Sequence, residues 1–423
     1  MNNFIKQLSF TFYQLPIVNC LLPIVYCLLP IAYCSSQVLT LDSILARIET
    51  NNPMLRMYEQ QINAVDAYAE GAKSWMPPTL SSGFWQAPYN NIGNGMWMIT
   101  GEQMIPNPRK QRANYKYMLG MSSVEAAGKT ATRNELFASA KQNYYEWIIL
   151  KKKYELIIQA DSLTNYVIHL GKLRYTYNKE TLNNIYKAEA DLFELRNMET
   201  MLLSDMKMKN VELNTLMNTD KQVSFDIDTT IIPRFYELSL TDTSVISASR
   251  SDIRQYDASI ALTRLQQQFE QSKRLPEFGV SISHMQSLGQ MPNQFSAMGM
   301  ITIPIVPWSA REYKANIKGL DYTANAISFQ KQSLLNETTG MIASLQSQIL
   351  SSKQQLSNYE ENILPSYTKS YQSSILAYEQ NTEALFVVLD GLRMYRMAKM
   401  NELDVLNTLL KLQVDYEKEL EIR

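Results

Sequence analysis

The chain has 423 residues and sets 40 Lys+Arg against 41 Asp+Glu, a formal net charge of -1. That balance argues against a nucleic-acid binder working through bulk positive charge. All three cysteines (Cys20, Cys27, Cys34) lie in the first 34 residues, and His169 and His284 are the only histidines, so the rest of the chain has no Cys nucleophile, Cys/His zinc site or disulfide framework. No G-x-S-x-G elbow is present. Gly128-Lys129-Thr130 resembles the end of a P-loop, but Ser123 stands where the first glycine is required. The chain reads as a non-enzyme that needs no cofactor.

Residues 1–36 read as a signal peptide. Lys6 is the only charge before Asp42, and three seven-residue copies follow it: Leu15-Pro-Ile-Val-Asn-Cys-Leu21, Leu22-Pro-Ile-Val-Tyr-Cys-Leu28 and Leu29-Pro-Ile-Ala-Tyr-Cys-Ser35. A basic start, an apolar run and small residues at Cys34 and Ser36 fit export with Gln37 as the mature start. Pro16, Pro23 and Pro30 disfavour a membrane helix. A lipoprotein alternative would acylate Cys34, with Tyr33 a poor match before it. No later run of about 20 apolar residues exists to span a bilayer as a helix.

The remainder is one unit written twice, 37–238 and 239–423. Trp75-Met-Pro77 answers Arg274-Leu-Pro276 at a spacing of 199, and Pro106 answers Pro304 at 198. Pro108 and Arg112 answer Pro307 and Arg311 at 199, and Tyr177-x-x-x-Thr181 answers Tyr378-x-x-x-Thr382 at 201. Landmarks in register imply a duplication far longer than a solenoid period.

Each copy begins with a helix, over about 40–74 and 242–274. A strand pair follows, about 78–106 in the first copy and 276–304 in the second. In the second copy Phe278, Val280 and Ile282 point one way, and Gly279, Ser281 and Ser283 the other. Long helical hairpins complete the copies, over about 108–218 and 307–421. From Pro108 to Tyr175 there is no proline, which allows roughly 100 Å of helix. Leu136, Tyr144, Ile148, Tyr154, Ile158, Leu163 and Val167 mark its apolar stripe; Ile185, Leu192, Leu195, Met198 and Leu202 mark that of the return helix. Pro365 is the single breaker inside the second hairpin.

Hairpins of that length must stand beside others like them. Four strands cannot close a barrel, whereas three chains supply twelve. The expected fold is therefore mainly α with a small β part. Long antiparallel helical hairpins form an α-barrel, and each chain adds four strands to a trimeric 12-strand transmembrane β-barrel. Phe278, Val280 and Ile282 would face lipid, opposite a polar lining.

Over essentially all of the mature chain the sequence resembles the TolC family of outer-membrane efflux proteins, within it the heavy-metal efflux branch. The resemblance is carried by Gln103-Met-Ile-Pro106-Asn-Pro108-Arg-Lys110, Asn143-Tyr-Tyr-Glu-Trp147, Ala188-Glu189 and Leu213-Asn-x-Leu216-Met217 in the first copy. Ser251-Asp-Ile-Arg254, Ile303-Pro304, Leu364-Pro365, Tyr378, Leu385 and Leu389-Asp390 carry it in the second. Arg109 replaces a family glycine after Pro108. The glycines expected after Tyr177 and Tyr378 are replaced by Glu180 and Asn381.

The resemblance implies a homotrimeric duct in the outer membrane, extending into the periplasm. It would meet a periplasmic adaptor (membrane fusion) protein and an RND-type inner-membrane pump. The turns at about 176–184 and 377–385 then become the adaptor-contacting tips, with Asn178, Lys179, Glu180, Thr181, Glu379, Asn381, Thr382 and Glu383 as candidates. The cargo would be heavy-metal ions or other small toxic compounds. A duct for drugs or type I protein secretion is the alternative, and an exported coiled-coil spacer a second; the strand pairs disfavour the spacer. His284, Met285, Met291, Met298 and Met300 cluster around the second strand pair. Met285, Met298 and Met300 are weak metal candidates, because thioethers suit Cu(I) or Ag(I).

Overall fold

A computed structural model describes residues 38–230 and 243–422. The signal peptide reading, Cys34, Gln37 and the repeat boundary at 238/239 lie outside the described residues.

The first copy runs β1 (Val38–Leu39), α1 (Leu41–Asn51), α2 (Pro53–Gly71), β2 (Thr79–Trp85), β3 (Met96–Ile105), α3 (Pro108–Tyr175), α4 (Leu182–Leu216) and β4 (Asp226–Ile227). The second runs α5 (Thr243–Ser249), α6 (Ser251–Ser272), β5 (Glu277–Ser287), β6 (Gln294–Thr302), α7 (Pro307–Asn358), a π-helical turn (Tyr359–Ile363), α8 (Leu364–Glu379) and α9 (Leu385–Leu420).

The single helix expected over 40–74 is two. Asn52 turns extended at φ -64 and ψ 126, and its side chain accepts from the Met54 N–H. Pro53 then opens α2, where its missing N–H costs nothing. The second copy breaks at the corresponding place, 198 residues on. Arg250 is extended at φ -74 and ψ 128, and its guanidinium pairs with Asp252 and Glu419. The two halves of the chain thus break at matching positions.

The two strand pairs combine into one antiparallel sheet of order β2-β3-β5-β6. β3 of the first copy lies against β5 of the second, with Ile105 opposite Phe278 and Met96 opposite Ser287. A small parallel pair, β1 with β4, has no counterpart in the sequence reading; two residues per strand carry no periodicity.

α3 has 68 residues, roughly 100 Å at 1.5 Å each. Near the sheet it packs against α2 and α6, and α6 packs in turn on α7. Beyond that, α4 and α9 flank α3, and α9 packs on α7 and α8. At the waist, Tyr144, Trp147 and Ile148 of α3 meet Ile44, Leu213, Phe225 and Ile227 in one buried cluster. Trp147 meets Phe225 edge-on at 5.2 Å. Ile158 and Met198, expected in the stripe, are exposed; Ile157 is buried in place of Ile158, while Ile185, Leu192, Leu195 and Leu202 are buried as expected. The stripes therefore hold on both helices, with one outward position on each.

Pro365 does not end its helix. The preceding turn widens to π winding over Tyr359–Ile363. That relieves the clash between the proline ring and the carbonyl four residues earlier, where no N–H is offered in return.

Candidate transport surface and docking tips

The register sorts the sheet into two faces. Phe278, Val280 and Ile282 share one with Trp97, Phe295 and Ile301, and all six are exposed. Aromatic side chains stand at both ends, Phe84, Trp97 and Phe295 towards the loops, Trp75 and Trp308 towards the helices. An apolar band with aromatic ends is the outward pattern of a membrane barrel. β3 with 10 residues and β5 with 11 have the length of membrane strands. Among the described residues no helix is long and apolar enough to cross a membrane.

The opposite face is polar and thioether-rich. Ser281 and Ser283 are 1% and 3% exposed, and the Ser283 and Thr100 hydroxyls share a 2.8 Å hydrogen bond. Met285, Met298 and Met300 all lie on this face, but not in one place. Met298 and Met300 sit two residues apart on β6, whereas Met285 lies four rungs from the Ser281–Met298 pair, about 13 Å along the strand. His284 is on the apolar face and Met291 is exposed in the loop. Met96, Met98 and Met104 of β3 join the thioether face. The sequence reading missed them, although their even spacing within one strand was the available signal. Among the described residues no group of three or more His, Cys, Asp or Glu is placed to hold a metal. The outer sides of β2 and β6 have no strand partner among the described residues.

At the far end both helical hairpins close with the same turn. The Asn178 N–H donates to the Tyr175 carbonyl and the Lys179 N–H to that of Arg174. Likewise Asn381 donates to Tyr378 and Thr382 to Ala377. This is the Schellman pattern, and Asn178 (φ 54) and Asn381 (φ 59) take its left-handed position. Asparagine serves where the family glycine was expected. The two turns equate Tyr175, not Tyr177, with Tyr378, at a spacing of 203 rather than 201; the first left-handed position is Asn178, not Glu180.

The eight tip candidates divide by what they touch. Glu180 accepts from the Thr181 N–H and the Asn184 carboxamide, each at 2.9 Å, and from the Tyr378 hydroxyl at 3.4 Å. Glu383 accepts from the Ala384 N–H. Both acids thus satisfy a helix N-terminus. Glu379 accepts from the Tyr166 hydroxyl at 3.3 Å. The Arg174 guanidinium lies 3.7 Å over the Tyr378 ring and donates to its carbonyl. Tyr378 is buried between the hairpins, and burial together with the Glu180 carboxylate raises its hydroxyl pKa. Asn178, Lys179, Thr181, Asn381 and Thr382 remain exposed.

No family model matches the sequence, and no curated protein matches it. Solved structures do. VceC, an outer membrane protein from Vibrio cholerae, superposes with a TM-score of 0.72 at 14% identity, over 90% of this chain and 95% of that one. The CmeC outer membrane channel of Campylobacter jejuni gives 0.71 at 14%, over 90% and 85%. CusC, solved for its folding and transmembrane channel formation, gives 0.73 at 12%, over 90% and 91%. The chain has the fold of the TolC-family outer-membrane efflux channels. In that fold the sheet described above is the chain's contribution at one end and the paired hairpin turns lie at the other.

Proposed function

We propose that the chain is one subunit of a homotrimeric exit duct in the outer membrane, reaching into the periplasm and exporting heavy-metal ions or other small toxic compounds. The observation that carries this reading is the sheet: four strands, with no partner at either edge among the described residues, and one exposed apolar face. Three copies joined β6 to β2 keep every pairing antiparallel and give twelve strands, enough to close. The helices support the same closure. On α4, Tyr186, Phe193, Met201 and Met208 form an exposed apolar row, at spacings that keep them on one helix face. It lies at one edge of the helical layer, with exposed Leu350 of α7 and Leu376 of α8 at the other. Native mass measurement of detergent-extracted protein is expected to give a trimer; a stable monomer in mild detergent overturns the architecture.

The tips are the docking surface for a periplasmic adaptor that links the duct to an RND-type pump. Lys179 and Thr181 are the residues to change, because both are exposed, their turn bonds are made by the backbone, and Thr181 makes no side-chain cap. Lys179→Glu with Thr181→Arg is expected to leave trimer yield intact and to weaken adaptor cross-linking about tenfold, since rim charges steer encounter more than they hold a fold. Unchanged cross-linking would place the adaptor elsewhere.

A further inference from the structure

We propose that the thioether face of the sheet binds a soft monovalent cation, Cu(I) or Ag(I), through Met104, Met298 and Met300. The proposal deepens the exit-duct reading, on which it rests only for the inward aspect of that face.

Six methionines lie in the strands and all six share one face; chance placement would do this about once in 32 chains if the two faces were equivalent. Apolarity does not explain it. The opposite face takes most of the large apolar side chains and has no methionine; Trp85, paired with Met96 at the loop end, is the exception.

Two of the six converge, and a third lies next to them on the same face. A Cβ built on Gly279 would meet the Met104 Sδ at 2.6 Å and the Met300 Cε at 3.2 Å. Side chains from β3 and β6 therefore fold over the same point of the intervening β5, and they fit there because the residue is glycine and has no Cβ. Met298 is on the same face two residues from Met300, directly opposite Ser281. The Ser281 Oγ is buried and has no hydrogen-bond partner, and Glu102 stands opposite Ser281 on its other side. Three neutral thioethers, one free hydroxyl and a carboxylate one strand away make a soft donor set with a counter-charge. Such a set selects Cu(I) or Ag(I) and offers little to Zn(II) or Mg(II).

The test uses the full chain, extracted and purified in detergent, with Ag(I) as the probe and Zn(II) as the comparison. Leucine conserves methionine's volume, so Met104→Leu, Met298→Leu and Met300→Leu combined should preserve packing. The expected result is tight Ag(I) binding by the parent, loss of one Ag(I) per chain in the triple variant, and no comparable Zn(II) uptake. Met298→Leu alone, at an exposed position, is expected to weaken Ag(I) at least tenfold and serves if the triple variant does not assemble. Unchanged Ag(I) stoichiometry and affinity in these variants, or equal uptake of Zn(II), overturns the site. Oligomer mass and single-channel conductance on the same samples separate the two readings. Silver bound by a monomer that conducts nothing sinks the duct and keeps the site. A conducting trimer without silver does the reverse.

Discussion

Ile282→Arg is expected to cost the assembled protein about 2–4 kcal/mol, and Met298→Arg close to nothing. The two positions are almost equally open to solvent in a single chain, 63% and 56%, and lie on adjacent rungs of β5 and β6. Exposure therefore predicts equal tolerance. Lipid on one side and water on the other predicts a large difference, because only the first guanidinium loses its hydration. The measurement is the temperature at which the trimer dissociates, with outer-membrane yield beside it. Equal losses would show that the faces are misassigned. Ser281 is the wrong reporter for the inner face, although simple alternation nominates it. It is packed between Met298 and Glu102, so an arginine there would be felt as overcrowding before any effect of the pore.

Asp191→Ala should be the most damaging single change in the helical layer, at about 3–5 kcal/mol. Asp191 of α4 accepts from Arg396 of α9 at 3.2 and 3.4 Å, and both residues are buried. Arg393 adds a longer contact at 3.6 Å. Removing the carboxylate leaves the Arg396 guanidinium buried beside apolar neighbours without its anion. The double replacement Asp191→Leu with Arg396→Met should regain most of the loss, since no charge is then stranded. Urea unfolding of the three proteins decides this. A single-variant loss no larger than a surface substitution would mean that the pair does not tie the first hairpin to the second.

The long elements were legible because one rule governed each over many residues. Sparse glycine and proline left little but helix between Pro108 and Tyr175, and the alternation of Phe278 to Ser283 allowed one strand register. What escaped depended on pairing between distant segments. Nothing local to Met104 says that β3 will lie against β5, so its place beside Gly279 emerged only with the sheet. The break at Asn52 was locally encoded, in an N-cap residue before proline, yet the apolar pattern runs through it on both sides. At the tips, spacing by identical residue type matched Tyr177 to Tyr378. Backbone hydrogen bonding matched Tyr175 instead, because asparagine can hold a left-handed turn and so no glycine was needed to mark it. Charge and position mark the tip acids in the sequence; Glu180 and Glu383 are held by helix N-termini, and a sequence shows no such occupancy.

The π turn before Pro365 bears on the geometry of the proposed tube. The descending arm of the second hairpin contains 52, 5 and 16 residues in succession, against 68 for its counterpart in the first. At 1.5 Å per residue the second arm is longer by about 7 Å, less whatever the wider turn absorbs. Yet the arms finish level, since Arg174 and Glu180 both reach Tyr378. Two arms of unequal length that finish level cannot also start level and both run straight; the longer one starts nearer the sheet, leans or bows. In the proposed three-chain duct, long and short staves would alternate, giving a twisted cask rather than a cylinder, with a bore set by how far the long staves lean. A change of one residue in that arm would alter the bore without touching a single residue that lines it.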